Sequence, residues 1–256
     1  MRLLPGAEPF THDGSSTGVL LCHGFTGTPH SLRPWAEYLA DRGLTVSLPL
    51  LPGHGTRWQD LQRTGWEDWY ATVDRELREL RRRCATVFVC GLSMGGALAL
   101  RLAARHGTGV AGVAVVNPGV TFPSPAGFLL PVLRHLVPST KGIVSDIAKK
   151  GVAESGYDRV PLHAAHSLRR FQALVRAELP RVTQPLLLMR SARDHVLAPG
   201  DADLVRSRVS STDVTELLLP ASFHVATLDH DAERIFQETD AFITRLAPAR
   251  DKEDSP

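Results

Sequence analysis

The sequence predicts an α/β fold, a mainly parallel sheet with helices on both faces. Short β-rich apolar runs recur along the chain, amphipathic helical patterns fall between them, and no internal repeat or low-complexity tract interrupts the alternation. The apolar runs are Val19–Cys22, Thr45–Leu50, Thr86–Cys90, Val110–Val116, Pro185–Met189 and Thr215–Leu219. Most read as buried strands, as in a parallel sheet covered on both sides. Helical spacing occurs at Leu32–Ala40, Trp66–Arg83, Met94–Arg105, Ala202–Val209 and Ile235–Leu246. In Trp66–Arg83 the apolar positions Trp66, Trp69, Tyr70, Val73, Leu77 and Leu80 define one face. Asp74 to Arg78 and Glu79 to Arg83 are acid-before-base pairs, and Arg81, Arg82 and Arg83 suit the helix C-terminus, so this basic cluster reads as a solvated helix face.

A chain of 256 residues, 43% apolar and 22% charged with no Pro/Gly-rich linker in the middle, fits one domain, here taken as residues 1–246. From about Thr121 to Val182 the alternation fails. No convincing strand appears there, only proline-interrupted helical pieces, and the stretch reads as an inserted cap over residues 121–182. Its Phe122, Phe128, Leu129, Leu130, Val132 and Leu133 fit either a satellite core or a substrate-facing wall. Residues 247–256, charged and proline-containing, read as a flexible tail.

With 29 basic against 27 acidic residues there is no basic stripe that would suit a nucleic acid partner. No window is long enough for stable membrane insertion, and residues 1–14 lack a signal-peptide core. Cys22, Cys84 and Cys90 form neither a disulfide framework nor a zinc-ligand spacing, and they read as reduced core thiols of a cytoplasmic protein. No metal or cofactor site is expected. Oligomeric state is not legible.

Chemistry is concentrated where predicted strands run out, at the end of the sheet where open α/β folds bind ligands. Thr86–Cys90 leads into Gly91-Leu92-Ser93-Met94-Gly95 and then a helical pattern. This is G-x-S-x-G on a strand-to-helix turn, which presents serine as a nucleophile. A hydroxyl needs a base, and that base needs a carboxylate to fix its tautomer. Of 11 histidines, His224 lies just beyond Thr215–Leu219 and before the last helix, the position expected for the base. His23 and His54 also follow strands and are expected to brace loops; His12, His106 and His135 are read as surface residues. Asp194 follows Pro185–Met189 and is the orienting acid, while Asp201 and Asp203 are read as caps of the next helix. The order Ser93, Asp194, His224 differs from that of chymotrypsin- and subtilisin-type proteases. Two N–H groups must also face the oxyanion of a tetrahedral intermediate, and Met94 and Phe25, in His23-Gly24-Phe25, are placed to supply them.

With these pieces the chain resembles the bacterial carboxylesterase and monoacylglycerol lipase branch of the α/β-hydrolase superfamily. The resemblance runs from about Pro9 to Leu246 and rests on HGFTGTP at 23–29, LPGHG at 51–55, GWEDWY at 65–70, GLSMGG at 91–96, the Asp194 loop and HVATLDHD at 224–231. It implies a catalytic triad of Ser93, Asp194 and His224, oxyanion donors Phe25 and Met94, a small cap, and cofactor-independent hydrolysis of a small-molecule ester. Short- to medium-chain carboxylic esters are the expected substrates, monoacylglycerols among them. Lysophospholipid cleavage, acyl transfer and perhydrolysis would use the same triad, and a ligand-binding member with negligible turnover would also retain it. Dehalogenases and epoxide hydrolases of this fold use an aspartate nucleophile, against which Ser93 argues.

Overall fold

The computed structural model describes residues 2–122, 125–197 and 200–247. Its strands are β1 (Phe10–His12), β2 (Thr17–Cys22), β3 (Thr45–Leu48), β4 (Thr86–Leu92), β5 (Gly112–Val116), β6 (Ser139–Lys141), β7 (Arg159–Pro161), β8 (Leu186–Ser191) and β9 (Val214–Leu219). The helices are α1 (Arg33–Asp41), α2 (Trp58–Leu61), α3 (Trp66–Arg83), α4 (Met94–His106), α5 (Leu130–Leu136), α6 (Leu162–Glu178), α7 (Asp201–Arg208) and α8 (Ala232–Leu246).

Seven strands form one sheet in the order β1-β3-β2-β4-β5-β8-β9, parallel except for β1, which runs antiparallel to β3. All six predicted strands are present. Successive residues of the central strands feed two separate cores. Val87 and Val89 of β4, Val113 and Val115 of β5, and Leu186 and Leu188 of β8 pack with α3, α4 and α6. Phe88, Cys90, Ala114, Val116, Leu187 and Met189 point the other way, toward α1 and α8. Burial on both faces is why these strands appear in the sequence as continuous apolar runs.

The predicted helices form on the expected faces. α3 buries Trp69, Val73, Leu77 and Leu80, and its Asp68 carboxylate accepts the Gly65 N–H at 2.9 Å to close the first turn. Arg78 pairs with Asp74 at 2.7 Å and Arg83 with Glu79 at 4.0 Å. Both are i,i+4 helix pairs with an exposed arginine, of the kind worth only about 0.3–0.5 kcal/mol. All three cysteines are buried and unpaired.

Three readings need correction. The segment between β5 and β8, hereafter the insert, holds an antiparallel hairpin of β6 and β7 as well as α5 and α6. Each strand is three residues long and the two are far apart in sequence, so neither gives a periodic signal. Asp201 does not cap α7, whose N-cap is Gly200. Its Oδ2 instead accepts the Val120 and Thr121 N–H groups at 2.9 and 3.0 Å, tying α7 to the start of the insert. His106 is half-buried, with Nε2 2.6 Å from Asp74 Oδ1, whereas His12 and His135 are exposed. The apolar residues of the insert divide: Leu130 is buried with Phe122 and Leu133 against it, but Phe128, Leu129 and Val132 are exposed. Apart from Ala247, the tail lies outside the described residues.

Candidate active site

Chain order reverses between β3 and β4 on either side of β2, so the crevice outside the carboxyl ends of β2 and β4 is the topological switch point. Ser93 sits there, directly after β4, with φ 58° and ψ −121°. For a residue with a Cβ this backbone costs on the order of 1–3 kcal/mol and persists only where its surroundings fix it. They do so through both peptide groups. The Ser93 N–H donates to Val116 O at 3.0 Å, and its carbonyl accepts from Ala97 and Gly119 at 3.2 and 3.0 Å. The flanking glycines are sterically required: a Cβ on Gly91 would fall 2.2 Å from Gly95 O, and one on Gly95 only 1.8 Å from Cys22 O.

The His23-Gly24-Phe25 loop leaves β2 beside this turn, and a Cβ at Gly24 would touch the Ser93 Cβ at 3.4 Å. His23 braces the loop as expected. Its Nε2 accepts the Leu51 N–H at 3.1 Å, so Nδ1 carries the proton and donates to Gly24 O at 3.0 Å. Burial pulls its pKa down to about 4, against a smaller upward effect of the Gly24 hydrogen bond, which keeps the ring neutral in this role. His54 braces its own turn through Pro52 O at 3.1 Å, and its ring meets both His23 and Phe25 edge-on. Phe25 also leans on Trp69 of α3, with ring centroids 5.7 Å apart.

His224 follows β9 and Asp194 follows β8, and the structure brings them together: His224 Nδ1 donates to Asp194 Oδ2 at 2.7 Å. Because a carboxylate only accepts, Nδ1 carries a proton, and in the neutral ring it is Nε2 that offers the lone pair. The other Asp194 oxygen accepts the Val196 and Leu197 N–H groups at 2.8 and 2.9 Å. Burial raises the Asp194 pKa, but His224 and these two N–H groups outweigh it, so the carboxyl sits below its ordinary value. Ser93, Phe25, Met94 and His224 line one cavity of about 420 Å³, a volume usual for small-molecule sites. Asp194 stands behind His224, lining a separate polar cavity with Asn117 and Asp201.

Sequence reasoning missed four side chains around this cavity. Asn117, at the carboxyl end of β5 with φ 43°, donates to His224 O at 2.8 Å. Asp146 and Glu154 come from the insert and line the cavity that holds Ser93 and His224. Burial pushes the Glu154 carboxyl up to about 7, with the nearby His224 and Ser31 pulling it back. Asp229 accepts four backbone N–H groups, from Ala148, Lys149, Phe223 and His230. Asn117 alone carried a signal, being a polar residue where a buried strand ends. Among the described residues no cluster of His, Cys, Asp and Glu is arranged to hold a metal ion, and no helix is long and apolar enough to cross a membrane.

The fold and this site define a serine hydrolase of the α/β-hydrolase type. The family described as "Serine aminopeptidase, S33" matches residues 15–231, and the chain belongs to that family. It is 42% identical over 250 residues to a thermostable monoacylglycerol lipase of Bacillus sp. (strain H-257), covering 96% of this chain and 97% of the relative. Against a carboxylesterase of Bacillus subtilis (strain 168) the identity is 27% over 242 residues, covering 93% and 97%. A solved structure described under two metagenome-derived lipolytic enzymes, LipS and LipT, superposes with a TM-score of 0.92 at 39% identity. That match covers 95% of this chain and all of the other.

Proposed function

We propose that the chain hydrolyses carboxylic esters of short- to medium-chain acyl groups, monoacylglycerols among them, through an acyl-enzyme on Ser93. The observation that carries this reading is the convergence on one cavity of a strained serine, a histidine with its free nitrogen fixed as Nε2, and the Phe25 loop. Ser93 attacks the ester carbonyl as His224 takes its proton. His224 then gives that proton to the leaving alcohol, and in the second half-reaction it activates water to release the acid. Asp194 orients His224 and stabilises its imidazolium. Phe25 and Met94 offer their N–H groups to the oxyanion. The insert acts as a cap, its Val160, Ala165 and Leu168 giving the acyl chain an apolar wall. The site needs no cofactor, and the three buried thiols suit a reducing, cytoplasmic setting.

The test is steady-state hydrolysis of 4-nitrophenyl esters and monoacylglycerols of graded chain length, with product analysis. Sustained release of free acid, fastest for short to medium chains, is expected. A burst without turnover would favour a binding module, and acyl groups passed to an alcohol or peroxide would favour transfer.

A further inference from the structure

His224 lies on a loop that pairs with no strand among the described residues, yet three successive N–H groups of that loop are all held. Phe223 donates to Asp229 Oδ2 at 2.9 Å, His224 to Asp146 Oδ2 at 3.1 Å, and Val225 to the Asp146 carbonyl at 3.1 Å. Asp146 belongs to the insert, 78 residues before His224. The same Oδ2 accepts the backbone N–H of His195 at 3.1 Å, while Oδ1 accepts from His195 Nδ1 at 2.8 Å. His195 is the residue directly after Asp194. One carboxylate oxygen therefore bridges the loop that carries the acid and the loop that carries the base.

The connection is reinforced from the other side. Asp229, 2% exposed, accepts the Ala148 and Lys149 N–H groups at 2.7 and 2.9 Å, clasping the insert just beyond Asp146. The insert and the His224 loop each send a carboxylate into the other's backbone. Buried N–H groups require such partners, so neither segment can shift without breaking bonds in both.

We propose that Asp146 is a positioning residue, through which the seating of the insert sets the geometry of the His224–Asp194 pair. This rests on the reading of that pair as base and acid. Asp146 touches no reacting atom in this scheme. It fixes the peptide of His224 from the N–H side, as Asn117 fixes it from the carbonyl side. A displacement of about 1 Å at a reacting group is enough to cost on the order of 10²-fold in rate.

The test compares Asp146→Ala, Asp146→Asn and His195→Ala on 4-nitrophenyl acetate, a substrate too short to need the insert's apolar wall. Asp146→Ala is expected to lower kcat about 10–10²-fold with KM changed by less than about threefold. It should also shift or broaden the deshielded His224 Nδ1 proton in the NMR spectrum. Asp146→Asn keeps an acceptor for both N–H groups and is expected to restore most of kcat and the resonance. His195→Ala, which removes the side-chain partner and its edge contact with Phe223 but leaves both backbone N–H groups on Asp146, should remain near wild type. A folded Asp146→Ala protein with wild-type kcat and an unmoved resonance overturns the proposal, as does a loss confined to KM. If Asp146→Ala does not fold, the near-isosteric Asp146→Asn decides alone: a drop in kcat of more than about tenfold there contradicts the proposal. His224→Ala separates the two levels of the argument. Activity surviving in it removes the underlying reading, whereas its inactivity beside a fully active Asp146→Ala removes only the role of Asp146.

Discussion

His224 Nδ1 lies 2.7 Å from Asp194 Oδ2, and the second oxygen of Asp194 is occupied by the N–H groups of Val196 and Leu197. The carboxylate is thus held by its own loop before it meets the histidine, and the imidazole inherits that orientation. Asp194→Asn keeps the shape but offers an amide donor where an acceptor is required, or else swaps its ends and loses both loop bonds. The expected result is a folded protein with kcat lower by on the order of 10⁴-fold. Stopped-flow acylation with a 4-nitrophenyl ester checks it, and a loss below about tenfold would mean that another acid orients His224.

Glu154 supplies a pH dependence of known sign. Its carboxyl is pushed up to about 7 in the folded protein, chiefly by burial, from an ordinary value of 4.5. Below the lower value both folded and unfolded chains hold the proton and nothing is gained or lost. Between the two values the folded chain holds a proton that the unfolded chain has released. The group's contribution to stability therefore falls as pH rises and levels off above about 7. Glu154→Gln removes this penalty, so its melting temperature relative to wild type should climb between about pH 4.5 and 7. Thermal melts of both proteins across that range test this. An unchanging difference would show that Glu154 does not titrate there.

Gly95 is where α4 crosses the end of β2. A Cβ there would lie 1.8 Å from Cys22 O and 2.8 Å from His23 O, both backbone atoms that no rotamer can move. Gly95→Ala should therefore destabilise by about 3 kcal/mol or more, the upper range for overpacking. It should also separate the Phe25 loop from Ser93. Urea unfolding measures the first effect, and wild-type stability in this variant would refute the close approach.

In the proposed mechanism the ring and the N–H of Phe25 have separable duties. Phe25→Ala keeps the N–H and should change mainly KM and chain-length preference, because the ring stands in the cavity wall against Trp69 and His54. Phe25→Pro deletes the donor, and losing one oxyanion hydrogen bond costs about 10²–10³ in kcat. Circular dichroism must first show that the proline variant is folded. Wild-type kcat in a folded Phe25→Pro protein would remove this residue from the oxyanion site.

What was legible in the sequence follows from what is local. β4, β5 and β8 were visible because burial on both faces leaves almost no polar residue in them, and α3 was visible because one face alone is buried. Ser93, Asp194 and His224 stood out as candidates because each lies one to five residues beyond a strand end. β1 was missed because Phe-Thr-His is three residues with no apolar run, and its place at the sheet edge comes from pairing with β3. Asp146, Asp229 and Asn117 were missed for another reason. Their partners are mostly backbone groups, which carry no sequence signature, and they lie far off in the chain, Asn117 meeting His224 across 107 residues. Asp201 misled because an acidic residue opening a helix reads as a cap, whereas its bonds run to Val120 and Thr121, about 80 residues earlier.

The central claim is that Ser93 forms an acyl-enzyme, and the most direct measurement is turnover by Ser93→Ala beside intact-mass analysis of wild type mixed with a slowly deacylating ester. Wild type is expected to gain the mass of one acyl group. Ser93→Ala should gain none, and its kcat should fall about 10⁵–10⁶-fold with the fold preserved, since losing the nucleophile disables the whole assembly. A folded Ser93→Ala protein that kept more than about a tenth of wild-type activity, or an adduct mapped to a residue other than Ser93, would contradict the account.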